Sequence, residues 1–142
     1  MHSNPGSGAT PADQQFLVAF EAGQIANRDF HHRDHLLLAW IQIRRLGLER
    51  ALESVTVAIR QFAAHQGHAD RYHDTMTRFW LRAVAIGIDH HPDLTFEGLL
   101  SAEPHLLDKN LPYVHWSRER MGSDQARRHW VEPDLRSMPK SA

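Results

Sequence analysis

The stretch FHHRDHLLLAWIQIRRLG, residues 30–47, carries a helical signal and a chemical one together. At roughly 100° per residue, Leu36, Ala39, Ile43 and Leu46 fall on one apolar stripe. Leu37 and Ile41 add a second apolar face, so a central helix is predicted over 30–46. Gly47 closes it as a C-terminal cap, and Asp29 stands as its N-cap. His32 falls at the centre of the stripe and His35 near its edge. His31 lies on the border with Gln42, while Arg33 and Asp34 face away. Two of three crowded histidines therefore point inward, three positions apart and neighbours on the helix surface.

The flanking sequence extends the same reading. Helical periods predict further segments at about 12–25, 48–66, 71–89, 94–101 and 123–130, with irregular chain over 104–119. Gly67 and Pro92 mark helix ends, and Asp70 and Ser123 are candidate N-caps. No alternating β-branched run is present. The fold class is all-α: a compact single-domain bundle of five to six helices over 12–130, between a flexible tail at 1–11 and an extended one at 131–142.

The helix from 71 repeats the arrangement of the first. In YHDTMTRFWLRAVAIG (72–87), Met76, Trp80, Val84 and Gly87 form the apolar stripe, with His73 and Thr77 on it. Asp74, Arg78 and Arg82 are predicted to face solvent, and Thr75 points elsewhere. Short connections make consecutive helices antiparallel, so the helices from 30 and from 71 run parallel. Their N-terminal ends then meet at one end of the bundle, bringing His32, His35 and His73 together beneath the loop GHADRY (67–72) with His68 and Tyr72.

Composition limits what that cluster can serve. The chain has 142 residues, 42% apolar and 23% charged, with a formal net charge of −1. Nothing there argues for nucleic acid or an anionic membrane surface. There is no cysteine, which removes disulfides, thiolate metal sites and cysteine nucleophiles. The N-terminus lacks the basic and apolar regions of a signal peptide, and no apolar run reaches membrane-span length, so the cytoplasm is the expected compartment. Ser54 and Ser117 lack the setting of a hydrolase nucleophile, and no phosphate loop or dinucleotide fingerprint occurs.

Twelve histidines, against 16 lysines and arginines, are the distinctive feature. A helix N-terminus and burial both disfavour the imidazolium, and neutral imidazole is the metal-binding form. His32, His35 and His73 are thus candidate ligands for a divalent zinc, iron or copper ion with an open position. Thr77 and Tyr72 would orient a bound water, dioxygen or substrate. Lys109, one of only two lysines, sits in LLDKNLPYVHWS (106–117) as a cationic pocket wall. The leading expectation is a small metal-dependent hydrolase, lyase or oxygenase acting on a small molecule. No acid lies on the inward arcs, so a carboxylate ligand would come from Asp70 or Glu21. Two alternatives remain: a metal-free module whose histidines line an apolar ligand pocket, and a structural protein with a satisfied polar core. A homodimer is allowed.

The segments FHHRDHLLLAW, RYHDTMTRFW, LLDKNLPYVHWS and SDQARRHWVEPDLRSMP resemble a family of small all-helical bacterial proteins with FxHxxH, YHxTxT and a closing AR–V–PDL–P. The likeness runs from about residue 15 to 139. It lands on His32, His35, Tyr72, His73, Thr75, Thr77, Lys109 and Arg127, and His115–Trp116 stands where the pattern has two tyrosines. The resemblance implies these residues and no particular reaction. Independently of it, Arg127 is expected to tie the C-terminal tail through Asp134.

Overall fold

The computed structural model describes residues 10–139, with only the backbone of Asn27. Among them there are seven α-helices and no strand: α1 Pro11–Glu21, α2 His32–Leu46, α3 Leu48–His65, α4 Asp74–His90, α5 Phe96–Ala102, α6 Arg118–Met121 and α7 Asp124–Arg128. The all-α class holds, and the one helix beyond the expected six, α6, is a single turn. No helix among the described residues is long and apolar enough to cross a membrane. The tail expected at 1–11 lies outside the described residues up to position 9. Thr10 caps α1 by accepting from Asp13 N–H while Asp13 accepts from Thr10 N–H, and Pro11 opens the first turn.

Helices α2, α3 and α4 pack mutually and hold most of the core. Eight consecutive residues of α2, Leu36 to Ile43, are buried, so this helix is covered nearly all round, as its two apolar faces foretold. Gly47 alone joins α2 to α3, at φ +83° and ψ 161°, a conformation open to glycine and costly for other residues. The rings of Phe20, Phe30 and Phe62 pack together between α1, the α2 entry and α3, with centroids 4.8–5.3 Å apart.

The predicted helix starts need correction. Asp29 and Asp70 cap nothing; each lies in a short 3₁₀ turn, Asn27–Asp29 and Ala69–Arg71. The true N-caps are His31 and His73, which delay α2 to residue 32 and α4 to residue 74. His31 N–H donates to Asp34 Oδ2 at 2.9 Å. His73 caps with its own ring: Nδ1 accepts from Met76 N–H at 3.1 Å.

The solvent-facing assignments on α4 also fail in part, because α4 is buried on two sides. Asp74 is 2% exposed and Thr75 fully buried. Beyond α5 the chain returns across α4 and lays α7 and the C-terminal segment on its second face. Thr75 Oγ1 donates to His129 O at 2.9 Å and accepts from Val131 N–H at 3.2 Å. Trp116, fully buried, donates its indole N–H to Val131 O at 3.0 Å and meets Phe79 edge-on. His115 Nδ1–H donates to Arg136 O at 2.9 Å, so the histidine standing in place of a tyrosine holds the tail. Asp134 is engaged by Ser117 N–H and Oγ at 2.8 and 2.6 Å rather than by Arg127. Arg127 instead borders a separate surface cleft with Arg60 and Asp124.

Candidate functional site

The N-terminal ends of α2 and α4 and the C-terminal half of α3 enclose a cavity of about 460 Å³. Its size falls within the usual range for small-molecule pockets. His32, His35, Tyr72, His73, Thr77 and Lys109 all line it, together with His31 and His68. His32 and His73, 41 positions apart, thus meet, because α3 returns the chain across the bundle so that α4 starts where α2 started. The apolar wall comes from Ala39, Val55, Ile59, Phe62 and Leu81, with Met76 and Trp80 beside the histidines.

The three expected ligands are held in different ways. His73 has both ring nitrogens occupied: Nδ1 accepts from Met76 N–H, and Nε2–H donates to Met121 O at 2.7 Å. Its lone pair is spent on capping α4. His32 donates Nε2–H to Leu106 O at 2.9 Å and sets its ring edge-on to Trp80, centroids 4.4 Å apart. That bond leaves Nδ1 as the acceptor. Burial lowers the His32 pKa, against the raising effect of the Leu106 bond, and the charge of Lys109 lowers it further.

His35 differs from both. Its ring packs 4.3 Å from the Phe30 ring, and it makes no hydrogen bond among the described residues. Burial, and then the neighbouring His32, push its pKa down to about 4. It is therefore a neutral imidazole at pH 7, with one donor and one acceptor nitrogen.

The residues expected to orient a bound group are engaged elsewhere. Thr77 Oγ1 donates to His73 O at 2.8 Å, and only its oxygen lone pairs stay free. Tyr72 turns its hydroxyl to Asp74, donating to Oδ1 at 2.7 Å. Burial and that carboxylate push the phenol pKa well above its ordinary value. Asp74 is also bound by Arg78 Nε at 2.7 Å, while Arg60 lies 4.7 Å over the Tyr72 ring. Tyr72 thus offers the pocket a ring face rather than an acid. Among the described residues, no group of three or more His, Asp or Glu is arranged to hold a metal ion.

Sequence reasoning did not single out Arg71, Trp80 or Phe62 as pocket residues. Phe62 was within reach, since it lies on the α3 turn facing the entry to α2. Arg71 had no signal, because its place depends on the 3₁₀ turn before His73. Comparison of the chain with family models, curated proteins and solved structures finds no match.

Proposed function

We propose that this protein is a metal-free binding module for a small molecule, seated in the histidine-lined pocket. The observation that carries the reading is the contrast between His73, with both nitrogens satisfied by backbone, and His35, with neither satisfied. A ligand hydroxyl, amide or carboxyl group can complete His35 without breaking any bond of the fold. A three-histidine metal centre would first have to release His73 from Met76 N–H and Met121 O, uncapping α4. An imperfectly paired polar group in a largely apolar cavity is what ligand orientation requires.

The test follows the imidazole nitrogens of His32 and His35 by ¹⁵N NMR while 1-naphthol, a neutral aromatic alcohol, is titrated in. The His35 signals are expected to shift saturably in the wild type and to stay still in Ala63→Phe, which fills the pocket from α3. A parallel titration with zinc chloride should leave all three histidine signals and the melting temperature unchanged. Saturable zinc binding that moves His32, His35 and His73 together would restore the metal-dependent enzyme in place of the binding module.

A further inference from the structure

The chemistry of the pocket mouth is asymmetric. Lys109 and Arg71, both exposed, stand at the cavity, and no aspartate or glutamate is among the residues that line it. Neither cation has an ion-pair partner among the described residues. The separate surface cleft differs, since Arg60, Arg127 and Arg128 share it with Asp70 and Asp124, and its field is partly cancelled. Lys109 also bears on the site's charge, because it adds to the lowering of the His32 pKa. Behind these cations the walls are apolar, from Val55 and Ile59 on α3 to Leu81 on α4. A mouth with uncompensated positive charge over an apolar interior matches one kind of molecule.

We infer that the ligand is a small amphipathic carboxylate, its apolar body among Val55, Ile59, Phe62 and Leu81 and its carboxylate between Lys109 and Arg71. The inference rests on the binding-module reading and adds the charge and shape of the occupant. Arg71 supplies a planar fork suited to a carboxylate, and Lys109 a mobile point charge. The dehydrated anion gains most where no carboxylate lines the cavity to compete for the cations.

Calorimetric titration with decanoate, decanol and acetate separates the parts. Decanoate is expected to bind at least about tenfold more tightly than decanol, with acetate showing no measurable binding. Lys109→Gln and Arg71→Gln should each weaken decanoate about tenfold and leave decanol unchanged, since both side chains are exposed and their loss does not touch the core. Ala63→Phe should abolish binding of both long-chain probes. If decanol binds as well as decanoate and Ala63→Phe blocks both, the pocket stands and the anionic ligand is overturned. If decanoate binds equally to Ala63→Phe, the site lies elsewhere and the inference falls. If no long-chain probe binds while 1-naphthol still shifts His35, the carboxylate class is likewise wrong, and the binding module survives.

Discussion

His35 shows how a single residue's environment reaches the stability of the whole chain. Its folded pKa, about 4, lies below the ordinary histidine value of 6.5 that the unfolded chain keeps. Between those values the unfolded state holds a proton that the folded state declines, so stability is full above pH 6.5 and falls as the pH drops toward 4. The loss attributable to this group is on the order of 3 kcal/mol. Urea denaturation of wild type and His35→Gln at stepped pH should show curves that converge as the solution is acidified. Curves that stay parallel would contradict the neutral, buried imidazole. Thr75 makes the opposite case, a side chain with no titration and two long-range bonds. Thr75→Val keeps the shape and strands His129 O and Val131 N–H. It should cost about 1–3 kcal/mol and render residues beyond 128 sensitive to protease before the core unfolds.

At the scale of elements, the hinge between α2 and α3 is one residue long. Gly47→Ala places a β-carbon on a backbone with φ +83° and ψ 161°, where the space is open and the conformation alone is penalised. The expected destabilisation is about 1–3 kcal/mol, read as a lower urea midpoint with an unchanged slope. That joint was visible beforehand, because a lone glycine between two apolar periods has few other uses. The convergence of His32, His35 and His73 on one cavity was legible from the same periods. Helix starts were not, since Asp29 and Asp70 resemble N-caps as well as His31 and His73 do. The choice was made by which groups the 3₁₀ turns left facing the first helical N–H groups. The burial of Asp74 escaped as well, because a helical wheel assumes one covered face and α4 has two. The carbonyls of Leu106 and Met121 escaped for a simpler reason: a backbone oxygen leaves no mark on a sequence.

At the scale of the molecule, those two carbonyls join the histidines of the pocket to the chain beyond α5. The imidazoles sit on α2 and at the α4 cap, yet they are aimed by residues 74 and 48 positions downstream. Among the described residues the C-terminal wrap, the chain beyond α5, lines the cavity only through Lys109. Yet Leu106 O decides which nitrogen of His32 carries a proton, and Met121 O reinforces the choice that Met76 N–H makes at His73. Pocket and wrap are therefore thermodynamically coupled: whatever binds the aimed histidines binds the wrapped state in preference to the unwrapped one. Hydrogen exchange at residues 111–131 should slow when the cavity is occupied by decanoate, by the factor 1 + [L]/Kd if opening releases the ligand. Exchange there that ignores the ligand would mean the histidines keep their aim without the wrap. With the coupling in place, the clasp formed by Leu106 and Met121 works as a remote gauge, and a protease cutting near residue 130 would count occupied pockets it cannot reach.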